Sequence, residues 1–150
     1  MRCCVQRVKK CAVDVNGSEI SSIGRGLLIF IGIAAIDTKD LCDWLAKKIS
    51  NVRIFEDDLC KMSKSLLDVG GSLMVVSQFT LLGDVKKGRR PDFMNAMDSV
   101  EAKKFYEYFI ECCKKIMGDK KVQTGIFGEN MEVRLINDGP VTLVIDHHND

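Results

Sequence analysis

Residues 133–142, VRLINDGPVT, constrain the fold more than any other stretch of this sequence. Strand patterns lie on both sides of residues 137–140, because apolar residues recur before the break and a β-branched run follows it. Pro140 is one of only two prolines and it follows a glycine. Gly139 tolerates backbone angles that other residues avoid, whereas Pro140 fixes its own φ and has no N–H to donate. The bond between them is of the type that becomes cis at a cost of about 0.5–1 kcal/mol. Alone, the pattern is typical of a hairpin turn.

The length and composition indicate one globular domain. A chain of 150 residues forms one domain of ordinary size, so we expect a single domain over residues 1–150, with a short polar tail at residues 146–150. The formal net charge is +1, which excludes an overall field that draws the protein onto nucleic acid or membrane. Any contact with RNA must therefore come from a local cluster of basic residues.

No segment predicts membrane insertion or export. The longest apolar run, GLLIFIGI at residues 26–33, is much shorter than the about 20 residues that span a bilayer. Residues 1–10 lack the apolar region and cleavage site of a signal peptide. We therefore expect a cytoplasmic protein with no membrane partner and no DNA partner.

The seven cysteines predict neither a disulfide framework nor a metal site. Their number is odd, no C-x-x-C occurs, and the spacing does not fit the ligands of a zinc site. We interpret them as buried or half-buried thiols. No metal and no cofactor are expected.

Two helices are predicted, each with a polar residue that can cap it. The first begins at Asp37 or Thr38 and ends near Asn51, and the second begins at Asp98 or Ser99 and ends near Met117. Trp44 falls on the apolar side of the first helix, so we expect it to pack in the core.

The rest of the chain predicts strands. Asn16-Gly17 is a strong hairpin signal within a β meander that covers the first 33 residues. The strands are predicted at residues 2–8, 12–15, 18–23, 27–33, 52–55, 72–76 continuing into 77–82, 122–126, 131–136 and 141–145. The predicted class is α+β, with largely antiparallel, barrel-like sheets flanked by two main helices.

Ser77-Gln78-Phe79-Thr80 places polar side chains at the end of a buried strand. Such groups are hydrogen-bonded within the fold or line a site. A serine or threonine nucleophile needs a base within reach, yet the only histidines are His147 and His148 in the tail. The sequence also has no G-x-S-x-G, P-loop or dinucleotide motif. What fits is a site of backbone amides, hydroxyls and shape, which can polarise a carbonyl and hold an oxyanion.

SQFTLL at 77–82 and NDGPVT at 137–142 together resemble the two signature motifs of the D-aminoacyl-tRNA deacylase family, S-Q-F-T-L and N-x-G-P-x-T. The resemblance covers almost the whole chain and includes VQRV, GLLIFIGI, RIF, GGSLMVV, RRPDF and QTGIFGENMEV in order. Leu82 stands where an aromatic residue is frequent, and Cys3-Cys4 stand where aliphatic residues are usual. Neither departure touches the core of a motif.

The resemblance implies an enzyme that hydrolyses the ester of D-aminoacyl-tRNA and of mischarged glycyl-tRNA. It implies a homodimer with the active sites at the interface. The Gly139-Pro140 bond is expected to be cis and to enter the partner's site, where backbone carbonyls reject L-amino acids. A 2′-OH of the terminal ribose beside the ester is expected to assist the reaction, in place of a histidine.

The resemblance also assigns roles to residues. Ser77, Gln78, Phe79 and Thr80 line the reaction centre, with the N–H groups of Phe79 and Thr80 facing the scissile carbonyl. Gln6 and Arg7 hold the Gly-Pro motif, and Phe127 and Met131 line the pocket for the terminal adenosine. The basic loop, residues 83–91, is either a contact for the tRNA backbone or a solvated charge run. Its basic residues are Lys86, Lys87, Arg89 and Arg90.

Two alternatives remain at this point. One is an RNA-end binding module that has lost turnover, although the SQFT residues are intact. The other is a conventional hydrolase in which Thr80 is the covalent nucleophile.

Overall fold

Strand β1, Arg2–Val15, organises the fold because it pairs with three other strands. In the computed structural model, which describes residues 1–147, its first half pairs with β3 and its second half with β2 on one edge. Its other edge pairs with β8. The remaining bounds are β2 Ser18–Ile23, β3 Gly26–Gly32, α1 Lys39–Asn51, β4 Phe55–Glu56, β5 Met62–Lys64, β6 Ser72–Ser77, α2 Ser99–Met117, β7 Val122–Thr124 and β8 Glu132–Asp146, with 3-10 turns at Phe79–Leu82 and Asp119–Lys121.

The main sheet is mixed and curls towards a closed barrel. Its strand order is β2-β1-β3-β6-β7, with β8 added on β1, and the β3–β6 and β6–β7 pairs are parallel. All other pairs are antiparallel. The Ser21 hydroxyl of β2 donates to the Thr124 carbonyl of β7 at 2.7 Å, which joins the two ends of this strand order. The predicted α+β class, barrel-like sheet and two main helices are confirmed.

Both faces of the central strand β3 are buried, and its residues alternate between two clusters. Leu27, Ile29 and Ile31 pack in the cluster that includes both helices. Leu28 lies in a second cluster on the opposite face, with Phe30 packed against its margin. Because successive residues of a strand point to opposite faces, one apolar run supplies both cores.

The helices lie on one face of the sheet, and their starts differ. Asp98 caps α2 by accepting from the Val100 N–H at 3.0 Å, as predicted. Asp37 does not cap α1. It is buried and accepts from the Met1 amino group and from the Ala34 N–H, both at 2.6 Å.

Trp44 was predicted to lie in the core, and this is wrong. Its side chain is 36% exposed and its ring centroid lies 4.3 Å from that of His147. The ring therefore packs on the segment after β8 instead of on the sheet. Among the described residues of the tail, the His147 N–H also donates to the Met1 carbonyl at 3.0 Å, and Arg2 binds Asp146 at 2.7 and 2.9 Å. His148, Asn149 and Asp150 lie outside the described residues.

The largest correction concerns residues 131–145, which form one strand and not two. Residues 132–136 and 142–146 of β8 both pair antiparallel with β1, so the chain does not reverse at residues 137–140. A bulge occupies the position of the expected hairpin turn, because pairing with β1 continues on both sides of it. Two other strands are shorter than predicted: β4 begins only at Phe55, and β7 ends at Thr124.

All seven cysteines are free thiols. Burial raises the pKa of Cys42 to about 12 and that of Cys11 to about 11, and it also raises the pKa of Cys3 and Cys113. Within residues 1–147 no group of three or more His, Cys, Asp or Glu side chains could hold a metal ion. Neither helix in that part of the chain is long and apolar enough to cross a membrane.

Gly26 is required by the close approach of β3 to β6. A Cβ atom at this position would lie 1.8 Å from the Ser72 carbonyl oxygen, which is backbone and cannot move alone. We expect Gly26→Ala to lower the free energy of unfolding by about 1–3 kcal/mol or more. Gly24→Ala is the matched control, since nothing lies within 4 Å of its Cβ position. Equal urea midpoints for the two variants would contradict this packing.

Candidate functional site

The carboxyl end of β6 forms the centre of the candidate site. Ser77 pairs with Ile31 of the parallel strand β3, and the Gln78 N–H donates to the Ile31 carbonyl at 2.8 Å. At Gln78 the backbone leaves the strand, with φ −149° and ψ 80°, and a 3-10 turn follows over Phe79–Leu82. The expected continuation of the strand through residues 77–82 is therefore wrong.

This turn presents both backbone and side-chain polar groups. The N–H groups of Phe79 and Thr80 stand at its start, where a short helix leaves its first donors without partners inside the helix. The Gln78 side-chain amide donates to the Thr80 hydroxyl. Phe79 is 58% exposed and its ring meets that of Phe93 edge to face, with centroids 5.1 Å apart. The turn thus combines backbone donors, an amide–hydroxyl pair and an exposed aromatic ring.

A cavity of about 540 Å³ opens beside this turn. Five of the predicted site residues line it together, namely Ser77, Gln78, Phe79, Phe127 and Met131. Thr80 is exposed and is not among the lining residues. The structure therefore unites the predicted reaction centre with the predicted adenosine pocket, apart from Thr80.

Sequence reasoning missed the part of the wall that comes from α2 and the segment before it. Met97, Ser99 and Ala102 line the cavity, as do Glu129 and Asn130 after Phe127. These residues lie more than 15 positions from the SQFT motif. The proximity of Met97, Ser99 and Ala102 depends on how α2 packs on the sheet, so no local pattern could have identified them. Glu129 and Asn130, in contrast, lie between the predicted residues Phe127 and Met131.

Two contacts hold the predicted adenosine-pocket residues in place. The Phe127 ring packs against Tyr106 with centroids 5.7 Å apart, and the Tyr106 hydroxyl donates to the Val75 carbonyl at 2.9 Å. Burial raises the pKa of Tyr106, which keeps its hydroxyl a neutral donor. A Cβ on Gly125 would lie 2.5 Å from the Met131 sulfur, so the absence of a side chain there leaves room for Met131.

The cavity offers little side-chain acid or base. Its lining side chains are mostly apolar, and the only one that carries a charge is Glu129. No histidine of the described chain lines it. The arrangement can hold a planar apolar group and donate hydrogen bonds to a developing negative charge, but it does not resemble a nucleophile–histidine pair.

The Gly139-Pro140 motif lies on a bulge of β8. Val8 pairs with Asn137 and Gln6 with Thr142, so β8 has four residues between these pairs where β1 has only Arg7. The Gly139–Pro140 peptide bond is cis, as predicted, and both residues are exposed. Neither residue lines the cavity of the described chain.

Both Arg7 and Gln6 contact this bulge. Arg7 is only 5% exposed, and its Nε donates to the Asp138 carbonyl at 3.1 Å. The Gln6 amide donates to the Asn137 side-chain oxygen at 3.4 Å. Gln6 and Arg7 thus form a second group with Gly139 and Pro140, separate from the group at the cavity.

The basic loop is exposed throughout residues 85–92. Lys86 lies 3.9 Å from Asp84, which is a weak, solvated ion pair. Within the described part of the chain, no salt bridge pairs Lys87, Arg89 or Arg90 with an acidic side chain. The loop therefore presents uncompensated positive charge.

Comparison with known proteins gives full-length similarity. Residues 4–146 match the family model described as D-Tyr-tRNA(Tyr) deacylase. The curated D-aminoacyl-tRNA deacylases of Clostridium tetani and Caldicellulosiruptor bescii are 53% and 47% identical over 146 residues, which is 97% of each chain.

Two solved structures share the fold. A protein described as "c-Myc DNA Unwinding Element Binding Protein" is 41% identical with a TM-score of 0.94, over 99% of this chain and 100% of that chain. A "probable eukaryotic D-amino acid tRNA deacylase" is 20% identical with a TM-score of 0.87, over 97% and 98% of the two chains. At this lower identity the similarity shows the fold alone.

Proposed function

The chain belongs to the D-Tyr-tRNA(Tyr) deacylase family, and we propose that it hydrolyses the ester between a D-amino acid and the terminal adenosine of tRNA. The observation that carries this proposal is the position of Ser77-Gln78-Phe79 at a cavity, in a chain that matches D-aminoacyl-tRNA deacylases over 97% of its length. The expected reaction needs tRNA as substrate, no metal and no cofactor. We expect it to take place in the cytoplasm, where tRNA is charged and used.

The reaction mechanism that we propose relies on the substrate's own reactivity. An aminoacyl ester is activated, so the enzyme does not need a strong nucleophile. The N–H groups of Phe79 and Thr80 would stabilise the negative charge that develops on the scissile carbonyl oxygen. The 2′-OH of the terminal ribose lies beside the ester and would assist the attack of water on the ester carbonyl carbon. No histidine among residues 1–147 lines the cavity, which is consistent with a mechanism that relies on the reactivity of the substrate.

The terminal adenosine would lie in the cavity against the wall formed by Phe127 and Met131. A volume of about 540 Å³ lies within the usual range for small-molecule sites, roughly 300–1,000 Å³. Unpaired bases commonly stack on aromatic side chains. Tyr106, packed behind Phe127, limits the freedom of that ring.

We propose that Gly139 and Pro140 select the chirality of the substrate from a second copy of the chain. They are exposed and lie outside the cavity of their own chain, so selection by them requires a partner. Exposed apolar side chains flank the bulge on β8, namely Ile136, Leu143 and Val144. Neighbouring residues of a strand point to opposite faces, so Leu143 and Val144 expose apolar surface on both faces of β8 beside the bulge. Exposed apolar surface of this kind marks interaction sites. Backbone carbonyls on the inserted bulge would collide with an L-side chain and accept a D-side chain. Glycine has no side chain, so glycyl-tRNA would also be a substrate.

Chiral selection is tested by the rates of deacylation of D-Tyr-tRNA, L-Tyr-tRNA and Gly-tRNA. We expect the D- and glycyl substrates to be cleaved roughly a hundredfold faster than the L-substrate, because only the L-side chain meets the bulge. Equal rates for D and L would contradict the proposal. Tight binding of charged tRNA without cleavage over hours would instead support the non-catalytic RNA-end module. Duplex DNA, added as a competitor, should not displace the tRNA.

Thr80→Ala separates the proposed mechanism from the Thr80-nucleophile alternative. The Thr80 hydroxyl accepts a hydrogen bond from Gln78 and does not line the cavity. Its removal should cost about one hydrogen bond, or roughly a tenfold loss of rate at most. Thr80→Ser, which keeps the hydroxyl, is the control. Removal of a covalent nucleophile lowers the rate on the order of a thousandfold or more. A rate loss of that size in Thr80→Ala, together with an acyl adduct trapped on Thr80 of the wild type, would favour the alternative.

The proposed homodimer is tested by a charge on the exposed face of β8. Val144 is 68% exposed beside the bulge. We expect Val144→Lys to shift the protein towards monomer in sedimentation equilibrium and to lower deacylation in parallel, since desolvating a lysine in an interface is costly. Val100→Lys, at a valine 64% exposed on α2, should leave the assembly unchanged. A wild-type protein that sediments as a monomer at assay concentrations would contradict the dimer.

The role of the basic loop is tested by salt dependence. Arg89→Gln combined with Arg90→Gln should weaken tRNA binding and lower the slope of log K against log salt by about 1–2, if both residues contact phosphates. The control is the double variant Lys103→Gln with Lys104→Gln. These two lysines lie on α2, and each forms an ion pair within that helix, with Glu107 and Glu101 respectively. Identical slopes for the two double variants would show that the loop is a solvated charge run.

A further inference from the structure

Arg7 is a buried cation on β1 that contacts two other segments of the chain, residues 54–56 and the bulge. It projects from β1 at the one residue opposite the bulge. Its Nη1 donates to the Ile54 carbonyl at 2.7 Å, and its Nε donates to the Asp138 carbonyl at 3.1 Å. The guanidinium is planar and presents its donors in a fixed fork. A hydrogen bond to the Ile54 carbonyl therefore fixes the direction in which the guanidinium donates to the Asp138 carbonyl.

Two carboxylates compensate the charge of Arg7. Asp138 Oδ2 lies 3.2 Å from Nε, and Glu56 Oε1 lies 3.7 Å from Nη2. Asp138 belongs to the bulge, whereas Glu56 belongs to β4. A buried charge needs such partners, because burial without them is costly. The position of the guanidinium thus depends on two carboxylates, Asp138 on the bulge and Glu56 on β4. Because the guanidinium binds the bulge, the position of the bulge depends on them as well.

The β4–β5 hairpin is suited to hold Arg7 because it has its own hydrogen-bond ladder and is anchored in the core. β4 and β5 form their own two-stranded sheet. Phe55 is fully buried, with the Arg25 guanidinium 5.4 Å from its ring centroid. At the other end, Asp57 accepts from the Leu59 and Lys61 N–H groups at 2.8 and 3.0 Å. The hairpin is thereby ordered at both its root and its turn.

The bulge, in contrast, lacks the regular support of a strand. Residues 138–141 have no pairing partners on β1 in the described structure. A Cβ on Gly139 would lie 2.7 Å from the movable side-chain amide of Asn137 and 3.6 Å from the Val141 nitrogen, so little packing restrains Gly139 itself. The contact with Arg7 replaces the missing ladder.

We propose that the β4–β5 hairpin positions the selectivity bulge, with Glu56 and Asp138 as positioning residues that act through Arg7. This inference rests on the proposed function, in which residues 139 and 140 exclude L-amino acids. Glu56 touches neither the cavity nor the Gly-Pro motif in the described chain. Its effect on the reaction is therefore expected in the choice between D- and L-substrates.

The experiment compares Glu56→Gln and Asp138→Asn with Asp58→Asn. Asp58 lies on the same hairpin, is fully exposed and pairs only with Lys64, at 3.8 Å. The readout is the ratio of kcat/KM for D-Tyr-tRNA to that for L-Tyr-tRNA. We expect this ratio to fall about two- to fivefold for Glu56→Gln, whose carboxylate is exposed and lies 3.7 Å from the buried Arg7. For Asp138→Asn, where the carboxylate is closer, we expect a fall of about tenfold. Asp58→Asn should match the wild type.

Two further measurements exclude a general loss of structure. Hydrogen exchange should quicken at the amides of residues 137–139 and 141 in Glu56→Gln, while the urea midpoint of this variant stays equal to that of Asp58→Asn. In the background of Arg7→Lys, which loses the fork, Glu56→Gln should have a smaller effect on the ratio than it has alone. An equal effect in both backgrounds would overturn the role of Arg7 as the link.

The outcomes separate this inference from the proposed function. If the wild type cleaves D- and L-substrates equally, the proposed function fails. If the wild type discriminates but Glu56→Gln behaves like Asp58→Asn in both ratio and exchange, the positioning role of the hairpin is wrong and chiral selection stands.

Discussion

The pairing of β1 on both of its edges is the constraint on which the rest of the structure depends. β3 and β2 occupy one edge and β8 the other. The parallel strand β6 then joins β3, which brings its carboxyl end and the turn after it to the cavity. On the opposite edge, the same strand β1 places Arg7 against the bulge of β8. Strand β1 therefore supports both the sheet that carries the cavity and the bulge that carries Gly139 and Pro140.

Local patterns predicted the parts of the fold that are decided locally. Asn16-Gly17 has positive φ at both residues and forms the expected hairpin, and Asp98 caps α2. The bulge at residues 137–140 could not be distinguished from a hairpin turn by its local sequence. In a hairpin the flanking residues pair with each other, whereas here both flanks pair with the distant strand β1. Trp44 has the spacing of a core residue, but the face that it occupies is covered by His147. In both cases a non-local contact decided the outcome.

The candidate site divides in the same way. The SQFT and NDGP motifs identified the residues on the turn and on the bulge, and the resemblance connected them to Phe127 and Met131. The contribution of Met97, Ser99 and Ala102 follows from the packing of α2 and left no signal in the sequence. Glu56 was part of an acidic run that predicts a solvated loop, and only its distance to a buried arginine distinguishes it from Asp58. Spatial proximity, and not residue type, separates these residues from their neighbours.

The β1–β8 ladder also determines when this protein can finish folding. It joins Arg2 to Asp146, so one edge of β1 stays open until more than a hundred further residues have been synthesised. Contacts between such distant segments form slowly, because the loop between them must first be ordered. During that interval β1 presents unpaired backbone groups of the kind that associate with other strands. Early pairing with β3 and β2 protects only its other edge. This edge is closed only when β8 pairs with it, so the time before that pairing is when association with other strands is favoured.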